Sequence, residues 1–192
     1  MIESLASARS DALDRLAEAA RDRRSPMHTP AVATPDGELR IMVLRAFDPE
    51  SGALRFHTDA RSPKVAAIGA GSKVGVLFYD RDAGVQIRCR GRGRVEMDGA
   101  AVESAWSGSD PYARRCYLGD APGTASEAPT SGLPDWVEGR KPTEEQLLPA
   151  RRNFAILLVE IDEIDWYRLS HTGHRRALFR REDGWRGEWI AP

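Results

Sequence analysis

The chain lacks several things, and each absence narrows what it can be. No apolar run approaches the roughly 18–20 residues needed to cross a bilayer, so a membrane-spanning role is not expected. The opening stretch "MIESLASARSDALDRLAEAARDRR" has charges throughout and no apolar core, which predicts no secretory signal. There is no charge bias: 28 Lys and Arg against 29 Asp and Glu leave a net charge of −1. A global pull on nucleic acid or anionic lipid is therefore absent, and any anion site must be local. Cysteine is nearly missing. Cys89 and Cys116 stand at no metal-ligand spacing, and Cys89 alternates with polar neighbours, which reads as a reduced, buried thiol. These absences fit a soluble cytoplasmic protein. Its 192 residues, 41% of them hydrophobic, suffice for one domain with a proper core.

What is present begins with a helix. Over residues 2–21, Leu5, Ala8, Ala12, Leu13, Leu16, Ala19 and Ala20 share one face at helical spacing. Pro26 and Pro30 close that region, and strands follow. "AVAT" and "LRIMVLRAF" flank Asp36-Gly37, a hairpin signal. "DPESG" turns the chain into "ALRFHT", and Ser62-Pro63 starts a short helix that Gly69 and Gly71 end. "KVGVLFYD" and "VQIRCRGRGRVEM" read as two more strands joined at "RDAG". Short helices are expected near residues 100–106 and 110–117. Residues 118–142, rich in Gly, Pro, Ser and Thr, read as a long surface loop of the kind that is usually functional or mobile. Thr143 caps another short helix, and the strands "FAILLVEIDEIDWYRLS", "HRRALFRR" and "GWRGEWIAP" close the chain. Strands and helices do not alternate, so a doubly wound parallel sheet is disfavoured. A single antiparallel barrel with peripheral helices, spanning 1–192, is the expected architecture.

Four clusters carry possible chemistry. In "FHTDARSPK", Arg61, Ser62 and Lys64 gather at a strand-to-helix junction, a place suited to a phosphate; a capped helix with solvated cations is the plainer alternative. Arg40 and Arg45 bracket "IMVL". In a regular strand, residues five apart face opposite sides, so the two are not parts of one solvated stripe; one of them is a candidate to turn toward the same anion as Lys64, and two ordinary end-of-strand arginines are the plainer alternative. Gln86, Arg88, Arg90, Arg92 and Arg94 alternate on one face of a strand, opposite Val85, Ile87, Cys89, Gly91, Gly93 and Val95. The near-zero net charge and the lack of interleaved aromatics argue against a nucleic-acid surface. The expectation is a solvent face, or arginines paired with acids across a subunit interface. Finally, Trp166, His171, His174, Arg175 and Arg176 lie close together in sequence. Their spacing suits neither a metal pair nor a nucleophile triad.

Taken together, these fragments resemble the pyridoxamine 5′-phosphate oxidase-like flavoproteins, the FMN-binding split-barrel family, from about Thr29 to Pro192. "RIMVLR" resembles the family's R-x-V-L-L-K strand motif. "HTDARSPK" resembles its Y-T-N-x-x-S-R-K phosphate segment, with Pro63 where an arginine normally stands and Arg61 two residues earlier. Gln86, five residues before Gly91, resembles the flavin-contacting glutamine. Trp166, His174 and Arg176 keep the spacing of the C-terminal motif W-Q-G…R-L-H-D-R. The resemblance implies an antiparallel split β-barrel and FMN as cofactor. It implies a homodimer with FMN at the interface, and cofactor contacts from Arg40, Ile41, Met42, Val43, Leu44, Arg45, His57, Thr58, Arg61, Ser62, Lys64, Gln86, Trp166 and Arg176. His174 and Arg176 are its catalytic candidates. It further implies an oxidoreductase with a small-molecule substrate; a flavin binder or electron carrier without turnover, or a split-barrel haem or deazaflavin binder, are the alternatives. The departures bear on substrate. Thr172 stands where the family has a phosphate-holding arginine, Tyr167-Arg168 replaces the Q-G pair, and only Arg114, Arg115 and Ser126 stand near the family's other substrate-phosphate residues.

Overall fold

The computed structural model describes residues 3–192; the start of the expected helix at residue 2 lies outside the described residues. The first helix, α1 (Leu5–Arg21), opens on a capping box in which Ser4 and Ser7 exchange hydrogen bonds. Its Ala8, Ala12, Leu16 and Ala19 are fully buried. It is followed by β1 (Ala31–Ala33), β2 (Leu39–Ile41), β3 (Leu44–Asp48), β4 (Ala53–Asp59), α2 (Pro63–Ile68), β5 (Ser72–Asp80) and β6 (Val85–Glu96). Two short helices, α3 (Ala100–Ser107) and α4 (Pro111–Arg114), lead through a 3₁₀ turn into the long loop. Then come α5 (Glu144–Leu147), β7 (Phe154–Arg168), β8 (Arg175–Arg180) and β9 (Glu188–Trp189).

All pairings are antiparallel, in the order β2-β1-β5-β6-β7-β4-β3, with β8 on β7 and β9 on β8. The 15-residue β7 is the spine. One of its edges pairs with β6 along its length; the other pairs with β4 through residues 154–160 and with β8 through residues 163–168. A register shift between Arg90 and Gly91 marks the bend between these halves. Gly91 is required there, because a Cβ would strike the carbonyl of Glu160. The sheet thus curls into the split half-barrel that the sequence resemblance implied. Its interior holds Val32, Leu44, Leu54, Phe56, Val76, Phe78, Ile87, Val159, Ile161, Trp166 and Phe179, and α1 packs against β3, β7 and β8.

Three expectations change. "LRIMVLRAF" is not one strand: it breaks at Met42–Val43, where the Met42 and Leu44 amides donate to Pro30 and His28 carbonyls instead. The β6 arginines do face outward, and Arg92 is exposed without an ion pair among the described residues, as a solvent face would have it; Arg88, Arg90 and Arg94 instead find acids on the neighbouring strand of the same chain rather than across a subunit boundary. Arg88 meets Asp165 at 2.5 Å, Arg90 meets Glu163, and Arg94 meets Glu160 at 3.0 Å. The Ser62 hydroxyl does not cap α2; it faces Lys64. The predicted reduced Cys89 is free and buried, and burial pushes its thiol pKa up.

Candidate functional site

The break at Met42–Val43 creates the main cleft. It lets both Arg40 and Arg45 line one cavity of about 710 Å³, where a regular strand would have sent them to opposite faces. Met42 and Val43 form part of the same wall, and so do Ile41, Arg55, His57, Thr58 and Lys64. The facing side comes from α3, α4 and the start of the long loop, including Ser109, Cys116, Tyr117 and Pro122. Its volume falls within the roughly 300–1,000 Å³ of small-molecule sites.

At one end Lys64 Nζ donates to Ser62 Oγ at 2.6 Å and to Thr58 Oγ1 at 3.1 Å. Burial lowers the Lys64 pKa; Arg40 lowers it further, and Asp59 opposes both. Arg40 donates to Thr34 Oγ1 at 2.8 Å. At the other end stand Arg45, Arg55 and His57. Burial, then Arg45, then Arg55 push the His57 pKa down to about 4, so its ring is neutral at physiological pH. The ring rests edge-on against Phe154, with centroids 4.9 Å apart. Arg45 Nε, Arg55 Nε and His57 Nε2 are buried without a hydrogen-bond partner among the described residues. Among the same residues no carboxylate forms an ion pair with Arg40, Arg45, Arg55 or Lys64. These cations are half-buried, and Asp59 and Asp110 line the cavity beside them; half-buried cations without ion partners suit an anionic ligand.

The sequence-named residues divide. Arg40, Ile41, Met42, Val43, Arg45, His57, Thr58 and Lys64 meet in the cleft. Ser62 sits behind Lys64 and holds it. Leu44 does not reach the cleft: it is fully buried in the barrel core, paired across the sheet with Phe56. Arg61 is no spare phosphate cation. Its guanidinium grips Asp59 at 2.7 Å and donates to the carbonyls of Gly119 and Asp120, fastening the long loop. Trp166 is a correction of a different kind. It is fully buried, and its indole N–H donates to Asp11 of α1 at 2.7 Å, so it offers no surface to a cofactor. Gln86, His174 and Arg176 lie outside this cleft. Gln86 is on β6 between Tyr79 and Tyr167, and His174 and Arg176 border a separate hollow with Trp189. Arg176 is held by Asp165 at 2.9 and 3.0 Å.

Among the loop-side candidates, Arg114 is buried, bonded to Glu144 and stacked on Trp106. Arg115 lies over the Tyr112 ring. Ser126 bonds within its own loop. Two cleft cations that sequence reading passed over are Arg23, which follows α1, and Arg55, which stands in "ALRFHT" without a motif around it.

Residues 10–97 match the family described as pyridoxamine 5′-phosphate oxidase, FMN-binding domain. No curated protein matches the chain. Solved structures share the fold. A pyridoxamine 5′-phosphate oxidase-related, FMN-binding protein from Nostoc punctiforme is 22% identical, with a TM-score of 0.69 over 95% of this chain and 96% of that one. PhzG from Burkholderia lata, solved with tetrahydrophenazine-1-carboxylic acid, is 18% identical, with a TM-score of 0.64 over 95% and 90%. A general stress protein 26-related protein of the pyridoxinephosphate oxidase family from Clostridium acetobutylicum is 14% identical, with a TM-score of 0.56 over 94% and 99%.

Proposed function

We propose, from the premise that residues 10–97 form an FMN-binding domain of the pyridoxamine 5′-phosphate oxidase kind, that the protein is an FMN-dependent oxidoreductase acting on a small reduced molecule. One observation carries the reading: a cavity of cofactor size in which Arg40, Arg45, Arg55 and Lys64 form no ion pair among the described residues, although Asp59 and Asp110 also line it. The fit to FMN is physical. The doubly charged phosphate matches Lys64 and Arg40, with the Thr58 and Ser62 hydroxyls beside them, because charge-assisted bonds to phosphate are the strong ones. The wall formed by Ile41, Met42 and Val43 suits a flat ring. When bound, FMN supplies two-electron transfer; the chain's part is to hold it and to orient the substrate.

A homodimer completes the reading. Leu39 and Ile41 are about two-thirds exposed, at 69% and 67%, and Leu77 and Tyr79 continue their face. Ile41, Ala31 and Leu77 sit in cross-strand register, giving an apolar ladder that a second copy would cover. Gln86, His174 and Arg176 would then approach the cofactor held by the other copy. The cytoplasm is the compartment proposed, and no described helix is long and apolar enough to cross a membrane.

Pyridoxamine phosphate is expected to be a poor substrate. Thr172 has neither charge nor bidentate reach, and Arg114 is already bonded to Glu144. Purification followed by absorption spectroscopy and light scattering tests the proposal. A flavin spectrum from a dimer supports it. A protein that takes up no FMN, or a Soret band, overturns it. A kcat/KM for pyridoxamine phosphate above roughly 10⁴ M⁻¹s⁻¹ would overturn the substrate claim alone.

A further inference from the structure

We infer that His28, which stands outside the cleft, is a positioning residue for it: its side chain fixes the corner at Met42–Val43, where the wall for a flat ring is made. The inference rests on the proposed flavin site and assigns that site a residue beyond its lining. The corner is where one length of chain changes partners. β1 and β2 pair from Ala31 with Ile41 to Ala33 with Leu39. The same register continues past β1, with Met42 opposite Pro30 and Leu44 opposite His28, but each pair makes only one of its two bonds. The Met42 amide donates to the Pro30 carbonyl at 3.0 Å, and the Leu44 amide to the His28 carbonyl at 2.9 Å. Nothing is returned: Pro30 has no N–H, and the His28 N–H turns away to the Ser25 carbonyl at 3.0 Å. Beyond the corner, Leu44 pairs with Phe56 of β4. Two single bonds therefore set where Met42 and Val43 lie, and both come from a connector, residues 22–30, that is neither helix nor strand.

Such a connector is only as well placed as its own anchors. Met27 supplies one by its burial in the core. The half-buried His28 supplies the other: its ring Nδ1 lies 2.6 Å from the Ala19 carbonyl. A carbonyl only accepts, so Nδ1 carries the proton and donates. Ala19 is among the last four residues of α1, whose carbonyls have no partner within the helix. One imidazole thus closes an open end of α1 and holds the connector to it. α1 is itself fixed to the barrel. Ala8, Ala12, Leu16 and Ala19 enter the core, Asp11 accepts from the Trp166 indole, and Arg15 pairs with Asp80 at 2.9 Å. Support runs from the barrel through α1 and His28 to the Met42–Val43 wall. The phosphate end stands apart from that path. Arg40 is held by its pairing with Val32 and by Thr34, and Lys64 by the Thr58 and Ser62 hydroxyls. Losing the His28 ring therefore loosens the ring wall and spares the phosphate end.

The test titrates FMN and riboflavin into the full-length wild type, His28→Ala and His28→Asn. Asparagine can place an N–H donor where the imidazole Nδ1 stood. His28→Ala is expected to weaken both ligands by a similar factor, about 2–10-fold, the worth of one neutral hydrogen bond, and to shift the spectrum of the bound flavin. Lys64→Ala is expected to strike FMN alone, so the two variants separate the wall from the phosphate end. His28→Asn is expected to recover most of the loss. Hydrogen exchange gives a second readout: His28→Ala is expected to quicken the Met42 and Leu44 amides, and His28→Asn to slow them again. Unchanged affinities in folded His28→Ala would overturn the inference even if its denaturant midpoint falls, because a merely structural residue moves only the midpoint. A loss confined to FMN, or no recovery in His28→Asn, would overturn it as well. If the wild type takes up neither flavin, the flavin reading fails by itself, and exchange in the free protein decides the rest. Quickened Met42 and Leu44 amides in His28→Ala would then keep His28 as the residue that fixes the corner, and unchanged rates would overturn it.

Discussion

Arg88, Arg90 and Arg94 on the outer face of β6 each meet a carboxylate of β7, whereas Arg40, Arg45, Arg55 and Lys64 in the cleft meet none among the described residues. Both groups are cationic, and both sit on strands of one curled sheet. The difference lies in what balances them. The β6 arginines are balanced inside the chain, so they spend their charge on holding β6 to β7. The cleft cations form no ion pair among the described residues, and the proposed anion site rests on that difference. A count of arginines in the sequence would have favoured β6, whose row is mostly tied to β7, over the scattered set that lines the cleft and carries the proposed site.

The largest effect is expected where the balanced group is broken. Asp165 is fully buried between Arg88 and Arg176. Asp165→Ala leaves two cations facing each other and is expected to cost about 3–5 kcal/mol, read as a lower denaturant midpoint. A loss below about 1 kcal/mol would mean that solvent screens the triad as it screens a surface pair.

The cleft group is sharpened by pH. Because the folded His57 pKa sits near 4 and the ordinary value is 6.5, the unfolded chain takes the proton first on acidification. This contribution is complete above pH 6.5 and is lost as pH falls toward 4. His57→Gln is expected to flatten the stability profile across that window by up to about 2 kcal/mol, the full shift being discounted for the ring's partial exposure. An unchanged profile would contradict the crowding of His57 by Arg45 and Arg55. The smallest effect belongs to an exposed pair of the β6 row. Arg90→Gln removes a pair whose arginine is more than half exposed, and should change stability by about 1 kcal/mol or less.

Much of the fold was legible because its signals are local. The Asp36-Gly37 turn, the strict alternation of β6 and the helical spacing of α1 each need only a few neighbouring residues. What escaped depends on distant partners. The break at Met42–Val43 exists because the segment at His28–Pro30 takes the backbone bonds. Trp166 looked like a flavin contact from its spacing; its burial comes from Asp11, 155 residues away in sequence. Arg61 carried a local warning, since Asp59 two residues earlier was the partner it takes. Arg55 gave no signal, because a lone arginine in a strand is marked as functional only by the absence of an acid around it. The cleft motifs "RIMVLR" and "HTDARSPK" were readable since each keeps its residues close along the chain.

The central claim is that the cleft cations hold the phosphate of FMN, and comparing FMN with riboflavin tests it most directly. Riboflavin keeps the ring and lacks the phosphate. Equilibrium titration of the wild type and Lys64→Ala with both ligands gives four affinities. The account predicts that Lys64→Ala weakens FMN by about 10–150-fold, the worth of one charge-assisted bond, and leaves riboflavin nearly unchanged. Equal losses for the two ligands would contradict it, and would mean that Lys64 supports the cleft without touching the phosphate.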